Sequence, residues 1–408
     1  MTFKTRCQSN LEQQAFLGYN PTKRSSRENK MSEEKTAPVN HLKSLDGVKG
    51  IAACIIAFIW HYQHFGVSGP DQPFFKIIPW SYSYGYLMVE IFIMLSGFGM
   101  SVGYMDRILN KKTEFKSYFI KRIKKLYPLH LVALLAVTLL QAVYIAKNGV
   151  TFVYPNYDIY HFILNALCLQ NGIFDNEWSF NSPSWCLTIM LLMYLVFYLV
   201  CSLAKNRTQV FVTFFALFCA GMGFLTYAIN LPLINNSTSR GLVCFSVGVM
   251  LYFIYDSRER FENLPIGIVS FSTLIVLYIT MRLGIMSALG NLQYIFMILI
   301  GPLVVLSVLF FKPLSFVLSL TPFSFLGKIS MEIYLLHFPV QLFISVIRTC
   351  FNINMDFSRP VCLFLYMIIL LPLAFGTNLL LRNTKSYKWI PYAVLSGVVF
   401  ICIYTLYF

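Results

Sequence analysis

The chain has 408 residues, of which 57% are hydrophobic and only 12% charged, and its formal charge is +15. Soluble globular domains hold about a quarter charged residues, so this balance excludes a soluble enzyme or a free nucleic-acid-binding module and describes an integral membrane protein. The mean hydropathy of +0.64 points the same way.

Residues 1–44 are polar, mixed in charge and without the apolar core of a signal peptide, which predicts a cytoplasmic tail ahead of a membrane domain over 45–408. About eleven apolar runs then follow, each long enough to cross a hydrocarbon layer of ~30 Å as a helix. In chain order they lie at about 47–65, 84–104, 127–146, 185–204, 209–229, 239–255, 265–284, 290–311, 326–347, 360–381 and 388–407. The segment 155–172 reads as a further interfacial or re-entrant helix. The expected fold is therefore all-α, a polytopic bundle of about 10–11 transmembrane helices, because a helix satisfies its own backbone in lipid.

Short loops orient the bundle. The loop 105–126 carries Arg107, Lys111, Lys112, Lys116, Lys121, Arg122, Lys124 and Lys125, whereas 147–184 has Lys147 against Asp158, Asp175 and Glu177. The first loop and the N-terminus are predicted inside, and the C-terminus outside. These basic loops account for the net charge through membrane topology and anionic headgroups, so no nucleic-acid partner is implied. The ten cysteines form no CxxC pair and no metal-like spacing, and no metal is expected.

An ionisable group inside a span is costly and usually faces a cavity or a partner. The first span carries His61 and His64, the second Glu90, the third His130 and the ninth Glu332 and His337. His61 lies roughly 18 Å above Lys49 at ~1.5 Å per residue. Glu90, on the returning span, falls at similar depth. A His61–Glu90 contact would make either a general base with its carboxylate partner or a polar pin between two helices. Lys49 and the cluster Lys121, Arg122, Lys124 and Lys125 read either as inner-face anchors or as cations converging on an anion. Ser96, Gly97 and Gly99 allow close helix approach or a lining with exposed backbone. Trp185, after the turn NSPSW, is expected at interface depth.

Together these segments resemble the membrane acyltransferase family 3. The quoted matches run in order along nearly the whole chain: LDGVKGIAACIIAFIWH from Leu45, VEIFIMLSGF at 89–98, FIKRIKKLYP at 119–128, SPSWCLT with Tyr194, and FLGKISMEIYLLHFPV at 325–340. The resemblance implies transfer of an acyl group, usually acetyl, from coenzyme A to a sugar hydroxyl. It implies His61 as catalytic base, Glu90 as its acidic partner and His337 as a second functional histidine. Lys49, Arg122 and Lys125 would bind the phosphate or pantetheine portion of acetyl-CoA, with Trp185, Ser96, Tyr194 and His64 lining the substrate path. Glu332 and His130 are left as structural or cavity-lining groups.

Three positions depart from the family pattern. Lys49 stands where arginine is usual, and lysine keeps the charge but lacks the bidentate fork. Eleven residues separate Lys49 from His61 where ten are usual. On a regular helix this places them about 120° apart instead of about 20°. A one-residue π-bulge would restore the alignment, and His64 is the alternative base. Met190 replaces a frequent glutamate.

The implied activity is acyl transfer from cytoplasmic acyl-CoA to a hydroxyl of an envelope or exported polysaccharide, or of its lipid-linked precursor. The setting is the bacterial inner membrane, with membrane lipids around it and a separate extracytoplasmic transferase as a candidate partner. A secondary transporter or polysaccharide exporter, and a non-catalytic membrane sensor, are the rival readings.

Overall fold

In the computed structural model, the described residues are 42–407 apart from 171, 175, 176, 262, 263, 283–290 and 384–388. The expected tail over 1–44 thus lies almost wholly outside the described residues.

The chain runs as helices α1 (Lys43–Phe65), α2 (Pro79–Leu109), α3 (Phe115–Asn148), α4 (Ile159–Ala166), α5 (Ser182–Leu203), α6 (Arg207–Thr226) and α7 (Asn236–Asp256). There follow α8 (Ile266–Arg282), α9 (Leu292–Phe310), α10 (Lys312–Ser319), α11 (Thr321–Lys328), α12 (Ser330–Cys350), α13 (Pro360–Asn383) and α14 (Ile390–Tyr407). No β-strand occurs among the described residues, which hold only two isolated bridges. Nine of these helices are long and apolar enough to cross a membrane. The remaining two expected spans are shorter apolar helices, Ile266–Arg282 and Tyr392–Tyr404. Within the expected 155–172 segment, Ile159–Ala166 forms the short α4.

Local chemistry explains several boundaries. The Asn235 side chain accepts from Thr238 N while Asn235 N donates to the Thr238 hydroxyl, a reciprocal cap that starts α7. Asn206 caps α6 and Asp158 caps α4 from one side only, each accepting from a backbone N–H three residues on. Pro339 lies inside α12 and has no N–H to give the Leu335 carbonyl, which instead accepts from Asn181 Nδ2 at 3.1 Å. A proline that would otherwise orphan a carbonyl thus becomes a latch between α12 and the turn before α5.

Burial divides the bundle into centre and rim. The apolar window of α12 is 83% buried and those of α2 and α7 are 72% buried, against 22% for α6 and 28% for α13. Rim helices spend their apolar faces on lipid. The centre is held by close backbone approach: a Cβ on Gly97 of α2 would overlap the Phe245 carbonyl, and one on Gly248 of α7 would overlap that of Met94. The small residues of the MLSGFG stretch are thus spent on helix contact at Gly97, whereas Gly99 faces open space. At one end of the bundle Arg207 joins Asp106 and, at 2.6 Å, Asp256, tying the ends of α2, α6 and α7 together.

Candidate active site

α1 does not continue as a regular helix to its end. It passes from α-helix at Lys43–Cys54 to a π-helix at Ile55–Ile59 and a 3-10 helix at Trp60–Phe65. The extra residue falls between Lys49 and His61, where the spacing demanded a bulge, and it takes up the ~100° of one residue. The consequence is that His61 turns toward α12.

There His61 Nδ1 meets His337 Nε2 at 2.7 Å, with the two ring planes within 8°. His337 Nδ1 lies 2.6 Å from the Tyr334 carbonyl oxygen. A carbonyl only accepts, so Nδ1 of His337 carries the proton and its Nε2 carries the lone pair. His61 must then donate through Nδ1, which leaves Nε2 of His61 as the basic nitrogen. No partner for that atom occurs among the described residues, and His61 keeps part of its surface open while His337 is fully buried.

His64 extends the stack, 4.7 Å from His61 between ring centroids and 19° off parallel. Gln341 ties the two together: its Nε2 donates to the His61 carbonyl at 2.9 Å, so its Oε1 accepts from His64 Nδ1, also at 2.9 Å. His337 and Gln341 stand four residues apart on α12, on one helix face. Tyr334 donates its hydroxyl to the Pro183 carbonyl, which fixes α12 against the NSPSW turn beside the histidines.

The expected His61–Glu90 contact is not made. At that depth α1 meets α2 through Trp60, which lies against Gly85 and 5.1 Å from the Tyr86 ring. His61 is one position further round and faces away from α2. Glu90 is fully buried and pairs with Arg240 at 2.8 Å, accepts from Gln293 at 3.2 Å, and lies 3.6 Å from the Cys244 thiol. Trp185, at the start of the α5 α-helical run, is buried in the bundle beneath Arg240, whose guanidinium carbon lies 4.9 Å over the indole.

Ser96 and Tyr194 share a hydrogen bond of 2.8 Å, and Tyr118 donates to the Tyr194 carbonyl at 3.0 Å. Beside them Arg122 is caged by the rings of Tyr104 at 4.5 Å, Tyr118 at 5.7 Å and Tyr194 at 5.8 Å. Its Nε is buried with no acceptor among the described residues. Lys125 lies within electrostatic reach of both Lys49 and Arg122. The three expected cations therefore gather at one end of the bundle, with Asp46 3.4 Å from Lys49 and with Asp46 and Glu332 both within electrostatic reach of Lys125. Like charges brought together in this way are stabilised by an anion between them. Glu332, near Lys125, accepts from Asn378 at 2.5 Å, and His130 meets the Asn165 carbonyl at 2.7 Å, so neither joins the histidine stack. Met190 is buried on α5.

Sequence reasoning passed over Arg240, Gln293 and Gln341. Arg240 had a readable signal: it is a cation just inside a span, at the end where the loop-charge rule disfavours one. Gln341 had a weaker one, its four-residue offset from His337.

Residues 42–403 match the model of a family described as an acyltransferase domain. ORF330 of Acidianus two-tailed virus, named as a candidate acetyltransferase, is 24% identical over 331 residues, covering 79% of this chain and 90% of that protein. No solved structure matches the chain.

Proposed function

The chain belongs to the acyltransferase domain family and is a multi-pass membrane acyltransferase; from that premise we propose that it O-acylates a carbohydrate using acyl-CoA, with His61 as general base. The observation that carries the reading is the Tyr334–His337–His61 chain, with spacings of 2.6 and 2.7 Å, which leaves one basic nitrogen pointing away from the anchor.

The chemistry follows from the tautomers. His61 Nε2 takes the proton of the acceptor hydroxyl as its oxygen attacks the thioester carbonyl. The imidazolium that forms is held by the lone pair of His337 Nε2, and His337 is held by the Tyr334 carbonyl. When the carbon–sulfur bond breaks, the same proton passes from His61 Nε2 to the departing thiolate, so the base is restored with the ester formed. His337 touches no reacting atom in this scheme. It orients the base, as the aspartate does in a serine protease triad.

Arg122, Lys125 and Lys49 would hold the phosphates of coenzyme A, and Ser96 and Tyr194, beside Arg122, would line the path of its pantetheine arm. The rise from Lys49 to His61, roughly 18 Å at ~1.5 Å per residue, separates an anion-binding end from a hydroxyl-activating site. In this reading the cationic end and the N-terminus lie in the cytoplasm, which the basic short loops support, with the bacterial inner membrane as the setting. The acyl group is acetyl, and the acceptor is an envelope or exported polysaccharide or its lipid-linked precursor. It is reached from the other side, either directly or through a separate extracytoplasmic transferase.

The test is transfer and hydrolysis of radiolabelled acetyl-CoA by the purified protein in proteoliposomes, comparing wild type with His61→Ala and His64→Ala. Loss in His61→Ala with activity kept in His64→Ala supports the assignment. Loss only in His64→Ala moves the base to His64.

A further inference from the structure

Glu90 and Arg240 lie outside the histidine stack, and the catalytic scheme leaves them without a role. Glu90 Oε1 receives Arg240 Nε and Nη2, each at 2.8 Å, together with the Gln293 amide at 3.2 Å, and its other oxygen lies near the Cys244 thiol. Oε1 of that carboxylate is saturated. The guanidinium is not: with one edge on Glu90 and one face on Trp185, its Nη1 has no partner among the described residues, and 12% of the side chain stays open. A buried ion pair is a costly way to pin helices that apolar residues would hold as well. What it does provide is a guanidinium fixed in orientation with one N–H edge free.

Two aromatic paths join this edge to the histidines. From His61 the path runs through Trp60, at 6.4 Å between centroids, to Tyr86 at a further 5.1 Å. From His337 it runs to Tyr334 at 5.9 Å, with Phe92 another 5.9 Å on. Tyr86 and Tyr334 both lie within electrostatic reach of Arg240. The side chains that link base and guanidinium are therefore aromatic, and the polar group at the far end is a pair of zero net charge. Aromatic faces pack on the C–H faces of a sugar ring, and a neutralised guanidinium donates to hydroxyls without demanding a counter-charge. An anionic ligand would leave its own charge uncompensated beside Glu90.

We infer that Arg240, set by Glu90 and Trp185, anchors the acceptor as an uncharged polyhydroxyl ring, holding one part of it while another hydroxyl meets His61. The inference rests on the proposed transfer to a carbohydrate and adds the residue that binds it.

The experiment measures acetyl transfer to methyl glucoside and methyl galactoside in proteoliposomes, with glycerol as a triol lacking a ring, alongside binding of coenzyme A. The variant Arg240→Gln with Glu90→Gln removes both charges together, so no carboxylate is left buried alone. It is expected to raise KM for the glycosides about tenfold or more, with kcat within about threefold and coenzyme A binding unchanged. Arg240→Lys keeps the pair with Glu90 and guards against a misfolded double variant; it is expected to raise the same KM at least about threefold, because an ammonium lacks the second edge. Unchanged KM in Arg240→Lys, or a fall in kcat alone in either variant, would overturn the anchoring role while leaving the transferase reading intact. Wild-type transfer to glycerol but to neither glycoside would overturn the carbohydrate acceptor and this inference with it.

Discussion

Replacing His337 with alanine removes the only acceptor that His61 Nδ1 has among the described residues, at 2.7 Å, and frees the Tyr334 carbonyl at 2.6 Å from its imidazole donor. The loss should fall on the step in which His61 is charged. A hydrogen bond to a charged group contributes about 1.5–3 kcal/mol, and each ~1.4 kcal/mol is tenfold in rate, so kcat should fall about 10- to 150-fold. KM for acetyl-CoA should stay within about threefold, since His337 lies away from the Arg122 cation site. Removing the base itself costs more, about 10²- to 10⁴-fold. The direct assay beside steady-state kinetics is the ¹⁵N spectrum of histidine-labelled protein, which is tractable because the chain holds only six histidines. Wild type should show His61 and His337 both protonated at Nδ1, and His337→Ala should release His61 to a mixture of tautomers. His61 protonated at Nε2 in the wild type, or a His337→Ala defect confined to KM, would refute the reasoning.

Further outcomes follow from other parts of the structure. Arg122→Ala should weaken coenzyme A binding in a direct titration, and Arg122→Lys should restore little of it, because the three-ring cage fits a planar guanidinium rather than a compact ammonium. Gly248→Val should lower the thermal unfolding midpoint in detergent by an amount corresponding to about 1–3 kcal/mol or more, because α7 must move off the Met94 carbonyl. Arg207→Ala should shift that midpoint little, by no more than about 1 kcal/mol, since its side chain and both aspartate partners are substantially exposed.

The helices were legible because the bilayer imposes one length on every span, and the polar residues stood out for the cost of placing them there. The irregularity of α1 was also legible: eleven residues between Lys49 and His61 required a bulge, and the π-helix stands at Ile55–Ile59. The partners were not. Depth along the membrane can be read from a sequence, but azimuth around a helix that changes from α to π to 3-10 cannot, so Glu90 was matched to His61 by depth while the rotation of α1 presented Trp60 to α2. His337 is 276 residues from His61, and nothing short of the packed bundle brings the two rings together. Arg240 was obscured for a different reason. Its place at the outer end of a span was a signal, but the carboxylate it pairs with and the indole under it come from other helices and show only in the packed bundle.

The central claim is that His61 performs proton transfer and does not bind the donor. It is tested most directly by measuring, on the same His61→Ala preparation, turnover of acetyl-CoA and equilibrium binding of coenzyme A. The account predicts turnover lower by about 10²- to 10⁴-fold with binding unchanged. Turnover at the wild-type rate, or turnover and binding lost in parallel, would contradict it.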